Sequence, residues 1–502
     1  MSTVIDFPPD DNFDRHQLWD RFERAGLFER YLTLHAQGVS QRQAAKQLQV
    51  PRTTLQAWRR WHDTLDICPQ VAQFFQRGPG LAFLHRLVVA FHLVCLEVGA
   101  CGIRLACLFL HLTGLDRFVA SSYGTQQQVN RQVEEAIVAY RHAETARLAT
   151  DMPRKDITLT QDETFTGGLC LVGIEPVSNY IILEQLAQAR DQTTWNALMA
   201  PALATLNCRV LQSTSDEAPG LVAYVEQHLG AHHSPDLFHV QHELSKAVCT
   251  PMATKVRTAH KAVTEATERL EQVQASLHAA GDEPPKRGPG RSPQATMSLE
   301  QAQQALDTAN REHERLAQQR EHVTRSIRAI GHAYHFVDLE RGVRRNGKLI
   351  AADIHEHIET IHAIAHEEHL SQTCLDRIAK AERVVPKMQA TIAFVSGYVH
   401  KQVRQLDLPS LVSYSMHAHL IPACYLERVA QTRTVSAGEP LRELAARLRT
   451  PLFEPGGAFA ELREAQQNQL TQKAKELAEV FQRSSSNVEG RNGYLSLRNH
   501  QL

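Results

Sequence analysis

The chain has 502 residues, 43% hydrophobic and 22% charged, and its 54 Lys+Arg against 55 Asp+Glu leave a net charge of −1. That length predicts two to four domains, the composition excludes wholesale disorder, and the balanced charge confines any nucleic-acid surface to a local patch. Nine cysteines with no CxxC pair exclude a zinc ribbon or a disulfide framework and point to a reducing, intracellular compartment.

Met1–Asp11 holds three Asp and two Pro, which is not a signal peptide. From Gly38 to His62 there are five basic residues, Arg42, Lys46, Arg52, Arg59 and Arg60, and no acidic one. Ser40 caps a predicted helix over 41–48 whose inner face is Ala44, Ala45 and Leu48. Val50-Pro51 breaks the chain, and a second helix runs to Trp61 with Leu55 and Trp58 inward. This layout predicts a helix–turn–helix DNA-binding domain over residues 1–66, the alternative being an ordinary helical hairpin. Arg52, Thr53, Thr54, Gln56, Arg59 and Arg60 would be the exposed DNA-facing residues of the second helix, with Arg42 and Lys46 beside them; Arg and Gln can read base edges while the others hold phosphates.

Residues 67–150 read as a helical linker or DNA-binding domain. Its most apolar stretch, Leu81–Leu112, is interrupted by His85, Arg86, His92, Glu97, Arg104 and His111. A membrane span needs ~20 nearly uninterrupted apolar residues, so a buried helix pair is expected, in a soluble, cytoplasmic protein without membrane partners. A further helix is expected from Gly124 to about Ala146.

The texture then changes. Strands are predicted at 157–162, 169–175 and 180–184, a helix at 193–206, a strand at 209–213 and a helix at 219–229, which is an α/β or α+β core over 151–250. From Val256 the apolar residues fall into heptads (Val256, Ala259, Val263, Ala266, Leu270, Val273, Leu277), and again from Leu299 to Ile327. With a Pro/Gly-rich tip between them, the two runs predict an antiparallel coiled-coil hairpin over 256–327 inside a helical domain spanning 251–480. Residues 481–502 contain a Ser/Asn-rich helix start at Ser484.

The chemistry is positional. Asp162 ends the first predicted strand and Asp216 follows the fourth. If those strands are neighbours, the two carboxylates sit side by side, which is costly without a divalent cation. A third carboxylate on a nearby helix would complete a two-metal site for in-line attack on a phosphodiester, and Glu489 is the candidate. Each residue alone also reads as a solvated strand-end or cap carboxylate. Glu163 and Glu217 adjoin the proposed ligands but alternate to the opposite face. Asp236, His239 and His242 form an Asp-x-x-His-x-x-His cluster, of which Asp236 and His239 are expected to orient ligands or grip a phosphate. His355, His362, His366 and His369 share a helical face, which is either a zinc site or a solvated face.

Gln161-Asp162-Glu163-Thr164, Ser215-Asp216-Glu217-Ala218, Ser234-Pro-Asp-Leu-Phe-His-Val240 and Asn487-Val-Glu-Gly-Arg-Asn492 together resemble a DDE-type transposase of bacterial insertion sequences. The resemblance covers the N-terminal region, residues 155–250 and the stretch from about 480. It implies a multidomain α and α/β fold: a helix–turn–helix region, then a ribonuclease H-like core interrupted by an all-helical insertion and closed by a last catalytic helix over 481–502. It further implies Asp162, Asp216 and Glu489 as catalytic ligands of two Mg²⁺ (or Mn²⁺) ions, DNA ends and target DNA as partners, self-association into a dimer or larger assembly, and a nucleoid location. Two positions depart from the pattern. Ser485 stands where some members carry a basic residue, and only thirteen residues follow Glu489, few for a catalytic helix and its packing.

The Arg-containing tip Pro284–Pro293 loosely resembles a minor-groove hook, or is a solvated loop. Two rival readings stay open. One is a non-catalytic DNA-binding protein, a captured or truncated transposase. The other is a structure-specific nuclease of the same fold.

Overall fold

The computed structural model describes residues 21–63, 69–99, 101–165, 167–280 and 297–501. The expectations for Met1–Asp11, Cys68 and the Pro284–Pro293 tip lie outside the described residues. The described chain is mostly helical, with one five-stranded mixed sheet. It divides into two compact units, one built from the chain up to Met152 with the final stretch from Tyr494, the other spanning Pro153–Gly493.

The first unit opens with helices α1 (Arg21–Ala36), α2 (Gln41–Leu48) and α3 (Arg52–Asp63). Ser40 Oγ accepts from the Gln43 amide while the Gln43 side chain accepts from the Ser40 amide, so both orphan donors at the start of α2 are satisfied. Gln49, in the left-handed region at φ 55°, ends the helix. Phe28, Tyr31, Ala44, Ala45, Leu48, Val50 and Leu55 form the small core between these three helices.

Helices α4 (Pro69–Gln76), α5 (Gly78–Phe91, continued by a π-helical turn His92–Val98), α6 (Ile103–Leu112) and α7 (Tyr123–Thr150) complete the unit. The expected buried pair is corrected here. Leu84, Val88, Leu96, Ala106 and Leu110 point inward, but Phe83, Val94, Leu105 and Leu108 are exposed, Val98 is 65% exposed and Leu112 75%. Their neighbours cover one side only, so apolar residues on the other side stay exposed among Arg86, Glu97, Arg104 and His111. The run Gly78–Val98 is long and apolar enough, by length and composition alone, to cross a membrane.

In the second unit the strands β1 (Lys155–Phe165), β2 (Leu169–Glu175), β3 (Tyr180–Leu186), β4 (Cys208–Ser215) and β5 (His232–Pro235) form a sheet in the order β3-β2-β1-β4-β5. β1–β2 and β2–β3 are antiparallel; β1–β4 and β4–β5 are parallel. β1 runs three residues past Asp162, which therefore lies within the strand and not at its end. The antiparallel ladder with β2 extends to Phe165↔Leu169 and carries β1 onward after its pairing with β4 stops at Thr160↔Thr214.

Ile157, Leu159, Leu171 and Leu183 meet Trp195 and Met199 of α8 (Gln192–Ala204) and Leu221 and Tyr224 of α9 (Pro219–Tyr224) on one face of the sheet. Gly173 leaves room for this: a Cβ there would stand 2.5 Å from the Met199 methyl. After β5 come α10 (Leu237–Leu244), a π-helical turn Ser245–Cys249, and α11 (Thr250–Ala280) without a break, then α12 (Leu299–Ala333). Cys249 lies beside Thr324 and His260 beside His313, so advance along α11 matches retreat along α12 and the pair is antiparallel. Ala259, Ala266, Leu270, Ala302, Leu316, Val323 and Ile327 are buried along it, while Leu277 and Leu299, nearest the tip, are exposed.

The remaining helices are α13 (Gly347–Glu367), α14 (Gln372–Glu382), α15 (Val385–Arg404), α16 (Ser410–Ser415), α17 (Ile421–Gln431), α18 (Val435–Phe453), α19 (Glu464–Glu479) and α20 (Ser486–Gln501). One stripe of α15 runs along the strands. Lys387 pairs with Glu217, the Thr391 hydroxyl bonds Ser234 and His232, Phe394 stacks on His232 at 4.5 Å, and the Tyr398 hydroxyl donates to Asp156 at 2.7 Å. The spacing of those four residues is that of one helix face.

The chain between α19 and α20 is held by polar contacts. Gln212 of β4 donates to the Gln482 carbonyl at 2.6 Å, and the Leu237 amide donates to Arg483 O at 2.9 Å. Half-buried Arg428 donates to the carbonyls of Ala478 (3.1 Å) and Phe481 (3.0 Å) and to the Gln482 side chain (2.6 Å). Burial lowers the pKa of its guanidinium, and this fan of acceptors makes the buried charge tolerable. Arg428→Ala is expected to cost ~3 kcal/mol, because a charged donor is lost and several buried carbonyls are left unpaired. Arg428→Lys should recover little of this, since one ammonium cannot reproduce the guanidinium fork. Chemical denaturation of the three proteins checks both expectations.

Candidate metal centre

Strand alternation divides β1 chemically. Glu163 falls on the α8 side, where Arg190 holds it at 3.0 Å, and Asp162 falls on the other. Asp162 is 9% exposed. The side-chain amide of Asn492 donates to its Oδ2 at 2.8 Å. Glu489 lies three residues earlier on α20, one turn away on the same helix face.

His239, on the first turn of α10, comes from a third direction. Its Nε2 is 3.4 Å from Glu489 Oε1 and 3.7 Å from Asp236 Oδ2. Both are ion pairs, and at these lengths neither meets the strict geometry of a hydrogen bond. Donor atoms of Asp162, His239 and Glu489 all lie within 4.8 Å of one another, the spacing of groups that can share one metal ion.

Asp236 is committed to structure. Its Oδ1 caps α10 by accepting from the Phe238 amide at 2.8 Å, and its Oδ2 accepts from the Ser485 hydroxyl, tying α10 to the lead-in of α20. Asp216 follows β4 directly, and its Oδ1 accepts from the Ala218 amide at 3.0 Å. The β1–β4 register places residues 162 and 216 equally far beyond the last pair, but Asp216 stands outside the group of three. With Glu163, Arg190, Asp236, His239, Glu243 and Lys380, it lines a cleft of about 590 Å³. Glu217 is paired with Lys387, with His233 at 3.8 Å.

The electrostatics follow from this crowding. Burial first, then the Glu489 and Asp216 carboxylates, push the Asp162 carboxyl up to about 7. Contact with Glu489, then Asp236, Asp162 and Asp216, raises His239 to about 9 against the effect of burial. His239 in turn holds Glu489 below the usual carboxylate range. Several oxygens and one imidazole nitrogen converging on a carboxylate that resists ionisation are a donor set that fits a divalent cation.

The other expected residues are placed as follows. Arg42, Lys46, Arg52, Thr53, Gln56, Arg59 and Arg60 are exposed on α2 and α3, and Thr54 is half-buried. His362 and His366 are exposed with rings 4.5 Å apart, and His355 lies 3.6 Å from Glu382. The His242 ring stacks on Phe238. Sequence reasoning did not find Asn492 or Arg190. Asn492 stands one turn after Glu489, and that spacing was the available signal. Arg190 shows none, because only the fold brings it to Glu163.

Residues 416–502, which include Glu489 and Asn492, match a family described as a family of unknown function (DUF6399). No curated protein and no solved structure matches the chain.

An Asp whose pKa is higher folded than unfolded contributes stability that is full at low pH and is lost as pH rises through the folded value, here about 7. In chelator, Asp162→Asn should therefore melt above the parent by roughly 2 °C or more at pH 8, a gap that closes towards pH 5. Thermal denaturation across that range tests it. The His239 ring protons should titrate near 9 by NMR, and Glu489→Gln should lower that midpoint.

Proposed function

We propose that this chain is a DDE-type transposase acting on the ends of a mobile DNA element. The observation that carries the reading is the meeting of Asp162, from the central strand, with Glu489, from the last helix, across the whole second unit. The strand order β3-β2-β1-β4-β5, with β2 antiparallel to β1, supports a ribonuclease H-like core. So do the second Asp directly after the strand beside β1 and the long helical insertion before the last helix. The capped α2, the turn at Gln49 and the exposed basic residues of α3 support a helix–turn–helix that holds DNA.

In this reading Asp162, Asp216 and Glu489 hold Mg²⁺ or Mn²⁺. Bound there, the ions supply Lewis acidity to the attacking and leaving oxygens of a phosphodiester. Asn492 fixes the rotamer of Asp162, and Ser485 with Asp236 fixes the approach of α20 to α10. Arg190 and Lys380, on the cleft beside Asp216, supply positive charge to a phosphate backbone. The enzyme would cut at the element's end and join the 3′-hydroxyl to target DNA as a dimer or larger assembly in the nucleoid.

One observation favours the rival of a DNA-binding protein that no longer cuts: Asp216 engages its own Ala218 amide and stands apart from the group of three. The test is nicking and strand transfer, with Mg²⁺ or Mn²⁺, on labelled duplexes carrying the repeats that flank the gene. Asp162→Asn, Asp216→Asn and Glu489→Gln are each expected to fall to background while DNA binding persists. Binding without cleavage by the parent protein establishes the rival, and cleavage of branched DNA regardless of the ends establishes a nuclease. Arg59→Ala and Arg60→Ala should each weaken DNA binding and reduce the salt slope by about 1.

A further inference from the structure

We infer that His239 is a direct metal ligand at this centre, and that its imidazole makes the centre select a first-row transition ion over Mg²⁺. The inference rests on the metal-binding part of the proposed function and is independent of whether the chain transfers DNA strands.

The geometry carries it. Ligands on opposite sides of an ion, each at ~2.1 Å, are about 4.2 Å apart, and adjacent ones are closer. Asp162, Glu489 and His239 meet within 4.8 Å, with Nε2 and the Glu489 oxygen at 3.4 Å, so a small inward shift closes the shell. His239 Nε2 is buried at the atom and has no hydrogen-bond partner among the described residues. Asn492, 7% exposed, presents a second such atom: its Nδ2 is used on Asp162, while its Oδ1 is buried and unpartnered. An ion-paired nitrogen that makes no hydrogen bond and an unpartnered buried oxygen thus stand beside the same carboxylates, and a coordinated ion with its water would engage both.

The mounting of His239 is rigid. Asp236 caps its helix three residues earlier, the next amide bonds Arg483 O, and Ser485 ties the cap to the lead-in of α20. The ring is delivered to Glu489 from a helix pinned to that residue's own backbone approach. An all-oxygen shell suits Mg²⁺, whereas an imidazole in the shell raises affinity for Mn²⁺ and more for Co²⁺ or Zn²⁺.

The test uses Mn²⁺ as probe on the full chain without DNA. Electron paramagnetic resonance titration should give parent Mn²⁺ binding that a tenfold excess of Mg²⁺ does not displace. His239→Gln should weaken Mn²⁺ at least about tenfold and leave Mg²⁺ affinity nearly unchanged. Pulsed spectroscopy of the parent complex should show nitrogen coupling from one imidazole, a readout that needs no variant to fold. Three results overturn the inference: no Mn²⁺ binding, bound Mn²⁺ without nitrogen coupling, or His239→Gln binding Mn²⁺ as well as or better than the parent, which would make the imidazole a mere counter-ion. Nitrogen coupling in a chain that transfers no strands would sink the transposase reading and leave this one standing. Strand transfer with no nitrogen coupling would do the reverse.

Discussion

The hydrogen bond from the Asn492 amide to the Asp162 carboxylate joins residues 330 apart in the chain. On one side of it is a carboxylate taken out of water in the central strand. On the other is a helix that must be brought back to the sheet after more than two hundred residues of insertion. Everything between β5 and α20 can be understood as the means of returning α20 to that bond. The insertion stacks on the strands through the α15 stripe, its core is continuous with Leu211, Leu237 and Leu244 beside the sheet, and Arg428 and Gln212 fix the last residues before the helix. The site's like charges are costly together, so the packing that forces them into proximity must be extensive.

Local patterns in the sequence were read closely where periodicity alone decides. The strand at 169–175, the helix at 41–48 with its Ser40 cap and the two heptad runs coincide with observed elements. Asp162 and Glu489 meet in the structure, although the strand-end position expected of Asp162 does not hold and Asp216 stands apart from them. What periodicity cannot carry is contact between distant segments. The sequence reading gave His239 a supporting part, and the structure sets it against Glu489; Asn492 went unnoticed although it touches Asp162. The apolar helices over 78–112 show the same limit from the other side. Hydropathy counts apolar residues, but burial depends on how many neighbours arrive to cover them, and here they cover one face.

Alternation along β1 puts Asp162 and Glu163 on opposite faces of the sheet. Glu163 and Glu217 have basic partners in Arg190 and Lys387. Asp162 accepts from the Asn492 amide, and Glu489 lies against the His239 imidazole. Glu163 and Asp162, neighbours in sequence, thus meet different surroundings: the first an arginine, the second other carboxylates with one imidazole.

From Leu237 to Ala280 the chain is one uninterrupted helical run, with His239 in its first turn and the hairpin arm at its far end. At 1.5 Å per residue such a rod is roughly 65 Å long. The π-helical turn at Ser245–Cys249 is its one change of pitch, and such turns offer a place where a helix can be re-phased without being broken. The turn that carries His239 and the arm of the hairpin therefore share one continuous backbone, with no loop between the sheet's edge and the coiled pair.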